Sequence, residues 1–179
     1  MEGNFTDLKS PKSSTKLNIL LAGDSKVGKT ALLSQIITPF NKDPIEATIA
    51  VDYQLKEYKS FVLNFWDVSG NPCFQSVRQQ FYHKISVFVL VFDISSRNSF
   101  ENLNEWIEET GKFVNLETKK VICGNKIDLF NARQVSEVEG ALFARMKEFL
   151  YFEVSAATGQ GVKEMIDKVL SGAEEAKNM

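Results

Sequence analysis

Cysteine is scarce in this chain, with only Cys73 and Cys123 among 179 residues, and neither is framed by a CxxC or histidine spacing. That excludes a disulfide scaffold and a thiolate metal site, and both are read as free thiols of a reducing compartment. Long apolar runs are missing too. None approaches the length needed to span a bilayer, and the polar opening MEGNFTDLKSPKSSTK lacks the apolar segment of a secretory signal. A soluble, cytoplasmic protein is expected. Nor is there an excess of positive charge. With 21 Lys and Arg against 23 Asp and Glu, interspersed, the net charge of -2 offers no footprint for nucleic acid and no cluster for an anionic membrane. Repeats and low-complexity blocks are absent. What remains is a 44% apolar chain, long enough for one core and too short for two ordinary domains. Residues 1–15 read as a disordered leader and 16–177 as a single domain.

Short apolar runs alternate with helical patterns. LNILLAG, Leu17 to Gly23, is a continuous apolar run ending in a glycine turn, as a central strand buried on both faces would be. A helix follows over Thr30 to Ile37, then a loop from Pro39 to Thr48 with two prolines. AVDYQLKE and KSFVLNFWD suggest an antiparallel hairpin at a sheet edge. VFVLVFD, KKVICGNK and YFEVSA are further strands. Helical spacing marks Ser99 to Phe113, Ser136 to Glu148, and a last stripe of Val162, Met165, Ile166 and Val169. The βαβα order predicts a three-layer sandwich with a mostly parallel sheet, its ligand beyond the carboxyl ends of the strands.

The chemistry lies at those ends. GDSKVGKT, Gly23 to Thr30, matches G-x-x-x-x-G-K-S/T between a strand and a helix, which is a phosphate-binding loop. Gly28 lets the backbone close on a phosphate, and the unpaired amides of Ser25 to Ala31, with Lys26 and Val27 among them, open the helix. Lys29 supplies a charge for the β and γ oxygens and Thr30 a hydroxyl for Mg²⁺. NKID, Asn125 to Asp128, follows the VICG strand. Asp128 can accept from guanine N1–H and the exocyclic amine, whereas adenine would leave the carboxylate buried and unpaired. Lys126 can lay its stem along the base. In FWDVSG, Asp67 ends an apolar strand where it can hold Mg²⁺, and Gly70 can offer its N–H to a γ-phosphate. In EVSAATG, Ser155 and Ala156 bring a backbone N–H to the guanine oxygen.

In this order GDSKVGKT, Thr48, DVSG, NKID and VSAA resemble the nucleotide-binding motifs of the Ras superfamily, and TIAVDY, Trp66, VFDISSRNSF and ENLNEWIEE resemble its Rab branch. The resemblance implies a P-loop NTPase fold with a six-stranded, mostly parallel sheet, one antiparallel edge strand and five helices. It also implies GTP and GDP as ligands with Mg²⁺ held by Thr30, Thr48 and Asp67, and a monomer that works in vesicle trafficking or related signalling. Tyr53, Trp66 and Phe81 fall on an aromatic triad that either contacts effectors or simply packs.

The chain departs from that pattern at several points. Asn71 and Pro72 stand where the family has Gln and Glu after the DxxG glycine; the Gln orients the attacking water, Asn is one methylene shorter, and Pro stiffens the loop. Catalysis is therefore assigned to Lys29, Gly70 and Asn71 with weak turnover, and a pseudo-GTPase that holds nucleotide as an interaction module stays open. Lys26 replaces a glycine near the phosphates. Ala157 stands where a lysine usually covers the base, and the aromatic expected near Asn41 comes one residue early as Phe40. The final EEAKNM has no prenylatable cysteine, so no lipid anchor is expected within this chain.

Overall fold

The computed structural model describes residues 15–41, 44–83 and 85–175. The expected leader lies outside them, except that the first strand already starts at Thr15. That strand, β1 (Thr15–Ala22), is followed by α1 (Lys29–Ile37), β2 (Val51–Tyr58), β3 (Phe61–Val68), α2 (Gln75–Arg78) and β4 (Val87–Asp93). Then come α3 (Arg97–Glu101), α4 (Leu103–Thr110), β5 (Lys119–Asn125), α5 (Glu137–Met146), β6 (Leu150–Glu153) and α6 (Val162–Glu175).

The strands form one six-stranded sheet in the order β2-β3-β1-β4-β5-β6. Only the β2–β3 pair is antiparallel. The tight turn that joins them, with Lys59 at φ +54°, makes this pair antiparallel, and β2 lies at one edge of the sheet. β4 is buried along its whole length, as a strand covered by helices on both faces must be. β3 alternates: Phe61, Leu63 and Phe65 point into the core, while Val62, Asn64 and Trp66 are only partly covered. On one face of the sheet Leu33 of α1 joins Met165 and Ile166 of α6; on the other Phe100, Trp106 and Ala144 pack from α3, α4 and α5.

There are six α-helices among the described residues rather than the expected five. The extra one arises at Asn102, where ψ opens to -9° and divides the expected Ser99–Phe113 helix into α3 and α4. The amide of Asn102 reaches back to Asp24 at 2.8 Å, and the bond from Trp106 N–H to the Asn102 carbonyl carries the helical path across the break.

Candidate nucleotide-binding site

Register brings the polar chemistry to one edge of the sheet. Leu21 pairs with Asp67 across β1 and β3, and Asp93 pairs with Asn125 across β4 and β5. The carboxyl ends of these strands therefore open on the same side, where an open α/β sheet receives its ligand.

β1 runs out at Ala22 and the chain turns through Gly23 to Gly28 into α1. Gly28 precedes the helix at φ +93°, and a side chain there would bring Cβ to 2.4 Å from the Asn125 amide nitrogen. Lys29 is 5% exposed and its Nζ donates to the carbonyls of Gly23 and Asp24 at 2.8 and 2.7 Å. Burial pulls its pKa down to about 8, against the opposing pull of Asp67 and Asp24. Ser25, Lys26, Gly28, Lys29, Thr30 and Ala31 line a cleft of about 490 Å³ that Thr48, Gly70 and Asn71 close from the other side. Val27 differs: its side chain belongs to the core, and its carbonyl accepts from Asn125 at 2.9 Å.

The three residues expected to hold a metal converge. Thr30 and Thr48 both donate to Asp67 Oδ2, at 2.5 and 3.0 Å, with their hydroxyls 2.9 Å apart. Asp67 is fully buried, and burial raises its pKa while the two hydroxyls and Lys29 lower it. Its Oδ1 has no partner among the described residues. A buried oxygen left unpaired costs about 1–3 kcal/mol, and more when charged. Two hydroxyls beside a carboxylate oxygen in need of a partner are the hard donors that Mg²⁺ takes, so these residues fit that ion.

The loop after β3 rests directly on the phosphate loop, since a Cβ on Gly70 would lie 2.2 Å from the Ser25 nitrogen. Asn71 lines the cleft, but its side chain does not face it as a free amide. Its Oδ1 accepts from the Cys73 N–H at 3.0 Å and caps the 3-10 turn Pro72–Phe74, with Pro72 at the first position where no donor is needed.

On the base side, Asn125 joins two loops: its amide reaches Val27, and its Oδ1 accepts the Ala156 N–H at 3.0 Å. The Ala156 amide expected to meet the guanine oxygen is thus engaged by Asn125 in this structure. The Ser155 hydroxyl donates to Asp128 Oδ1 at 2.5 Å. Lys126, at φ +70°, crosses over the phosphate loop to an ion pair with Asp93 at 2.6 Å and to the Lys26 carbonyl at 2.8 Å. Phe40, Asn125, Lys126, Asp128, Ala156 and Ala157 border a second cleft of about 420 Å³, which shares Gly28 and Ala31 with the first. Phe40 is 70% exposed and its backbone is pinned by Gln35 at 3.1 Å, so its ring stands at the rim. Sequence reasoning missed the Ser155–Asp128 and Lys126–Asp93 pairs. The Asp that ends the wholly apolar VFVLVFD run was the available signal for the second. Away from the clefts, Tyr53, Trp66 and Phe81 do form one aromatic cluster, with ring centres 4.7 and 5.3 Å apart in sequence.

Adjoining clefts, one lined by a buried lysine and helix-opening amides and the other by a carboxylate steadied by a hydroxyl, define a P-loop nucleotide-binding domain. The Ras family model matches residues 18–175, and the chain belongs to the Ras family, with the guanine-nucleotide binding that membership implies. It is similar to DnaJ homolog subfamily C member 27 of Homo sapiens, 35% identical over 174 residues that cover 92% of this chain and 64% of that protein. The relative of the same description from Gallus gallus is 33% identical over 180 residues, covering 96% of this chain and 66% of its own length. The chain thus spans just under two thirds of the relatives it matches.

Proposed function

We propose that this chain is a Rab-like guanine-nucleotide switch that binds GDP and GTP with Mg²⁺, hydrolyses GTP slowly, and works in vesicle trafficking or related signalling on the cytoplasmic side. The observation that carries the reading is Thr48. It sits in a loop eighteen residues beyond Thr30, yet its hydroxyl meets both Thr30 and Asp67. A site that only stored nucleotide has no use for a loop hydroxyl at that point; a site that senses the third phosphate does.

Mg²⁺, held by Thr30, Thr48 and Asp67, would supply neutralisation of phosphate charge. The chain's own residues do the rest. Lys29 and the amides from Ser25 to Ala31 bind phosphate, Asp128 held by Ser155 selects an amide-bearing base, and Gly70 offers its N–H beside the phosphate loop. Tyr53, Trp66 and Phe81 form a surface for effector proteins, with Tyr53 46% exposed. The cap made by the Asn71 side chain favours a second reading, a pseudo-GTPase with negligible turnover, because the residue in the water-orienting position is committed to the backbone.

Extracting the nucleotide from purified protein and following single-turnover hydrolysis of loaded GTP tests both. Bound guanine nucleotide with slow, Mg²⁺-dependent release of phosphate supports the switch. Bound nucleotide without release supports the second reading, and no guanine nucleotide in any preparation sinks both.

A further inference from the structure

Lys26 occupies a backbone conformation that suits glycine. It sits in the turn between β1 and α1 with φ at +68°, where a side chain crowds the backbone and glycine takes the same shape without that cost. A tether keeps it there. The Lys126 ammonium donates to the Lys26 carbonyl at 2.8 Å and is itself anchored to Asp93 at 2.6 Å, so the turn is pinned from the end of β4. Strain that its surroundings sustain at a ligand site points to a use for the side chain that is strained.

That side chain is exposed and belongs to the phosphate side. Lys26 lines the cleft of about 490 Å³ together with Thr30, Thr48, Gly70 and Asn71, whereas it is not among the residues that border the base-side cleft. Of the residues lining the first cleft only Lys26, Lys29 and Glu46 carry charge. The two lysines differ in kind. Lys29 is buried, with its Nζ held by the carbonyls of Gly23 and Asp24, while no carboxylate pairs with Lys26 among the described residues.

We propose that Lys26 is a specificity-determining residue: its exposed ammonium attracts the phosphates from the solvent side of the cleft and slows nucleotide release, more for triphosphate than for diphosphate. The inference rests on the guanine-nucleotide reading above. Thr48 and Gly70, the residues assigned to the third phosphate, share the cleft with Lys26, so the charge that distinguishes the two ligands enters the space this ammonium faces. An exposed cation acts on a polyphosphate through water. Its pull therefore grows with the ligand's charge and weakens with salt, whereas Lys29, buried beneath, is screened far less. Lys29 fixes where the phosphates lie, and Lys26 sets how long the more highly charged ligand stays.

Release of fluorescently labelled GDP and GTPγS at constant Mg²⁺, at about 50 and about 500 mM salt, tests this in the parent and in Lys26→Met, Lys26→Arg and Lys26→Gly. Lys26→Met keeps the stem and removes the charge, so at low salt it should release GTPγS about tenfold faster and GDP about threefold faster. At high salt both differences should shrink to about twofold or less. Lys26→Arg restores the charge and should stay within about twofold of the parent at either salt. Lys26→Gly relieves the backbone, so it folds even if the others do not, and it should release GTPγS as fast as Lys26→Met does. A purely structural role for Lys26 predicts another pattern, in which glycine and methionine differ and the two nucleotides respond alike. That pattern overturns the proposal, as does an unchanged rate in Lys26→Met or an arginine variant that behaves like it. If the parent binds no guanine nucleotide, the functional reading fails on its own account. Inorganic tripolyphosphate then decides the role of Lys26: weaker binding by Lys26→Met at low salt supports it, and equal binding overturns it.

Discussion

Replacing Asn71 and Pro72 together by Gln and Glu should raise the single-turnover rate of GTP hydrolysis several-fold while leaving GDP affinity nearly unchanged. The magnitude follows from what Asn71 does. Its Oδ1 accepts the Cys73 N–H at 3.0 Å, a cap worth about 1 kcal/mol, so turning the side chain toward the phosphates costs roughly a factor of five in population. Once turned, its amide stops one methylene short of where Gln would reach. The backbone cannot slide forward to compensate, because Arg78 holds the Asn71 carbonyl at 2.9 Å. Intact Ras hydrolyses GTP at about 3–5 × 10⁻⁴ s⁻¹ unaided, and the cap alone puts this chain about fivefold below that before the shorter reach is counted. Affinity should survive, since the phosphate-loop amides and Lys29 act on the ground state as well as the transition state, whereas a water-orienting amide acts mainly on the second. The assay is phosphate release from protein preloaded with GTP, started by Mg²⁺, with GDP affinity measured in parallel. Hydrolysis by the parent as fast as that of intact Ras, or no gain in the restored pair, would refute the reasoning and point to another residue, Lys26 first, as the group that completes the site.

Asp128→Asn should weaken GDP by about 1.5–3 kcal/mol and shift preference toward xanthine nucleotide, because an amide donates where the carboxylate accepted; competition binding with GDP and XDP checks it, and equal losses for both would count against the assignment. Thr30→Asn removes a hydroxyl from the Asp67 cluster, so it should bias the protein toward diphosphate or empty forms and flatten the Mg²⁺ dependence of GTP retention; an unchanged Mg²⁺ titration would remove Thr30 from the metal site. Lys29 carries a pH prediction. Its pKa in the folded chain is about 8 against 10.5 when exposed, so between those values the unfolded state binds the extra proton and the nucleotide-free protein gains stability as pH rises. Phosphate restores the charge, so above pH 8 nucleotide binding takes up a proton and affinity should fall by up to about tenfold per pH unit, read by calorimetry in buffers of different ionisation enthalpy. Finally, Cys123 is buried with its thiol pushed up to about 12 while Cys73 is exposed, so the native protein should titrate one fast thiol and reveal the other only on unfolding.

The parts of this site that sequence could reveal are those that local pattern encodes. Leu17 to Gly23 followed by Lys29 and Thr30 announces a buried strand, a glycine turn and a helix start, all within one stretch of chain. The same holds for VICG followed by NKID, and for the hairpin, whose antiparallel pairing follows from its short turn. What stayed hidden depends on partners far apart in the chain. Ser155 meets Asp128 across 27 residues, and Arg78 meets Glu109 across 31. No spacing rule joins such pairs, because the sheet brings them together only after the strands have ordered. The break at Asn102 belongs to the same class: its neighbours have helical spacing, and only the distant Asp24 explains why the segment opens there.

That division of labour has a consequence for how the site can vary. The groups that hold nucleotide sit at the ends of β1, β3 and β5, strands fixed by the core on both faces of the sheet, so a change in one surface loop leaves them in place. The group that would orient water sits on a 3-10 turn whose geometry is set by one side-chain cap and one arginine. Binding and turnover are thus carried by structures of very different stiffness. Substitutions at Asn71 or Pro72 should move rates without unfolding the domain, whereas substitutions at Gly28 or Asn125 disturb packed backbone and should cost affinity for both nucleotides at once.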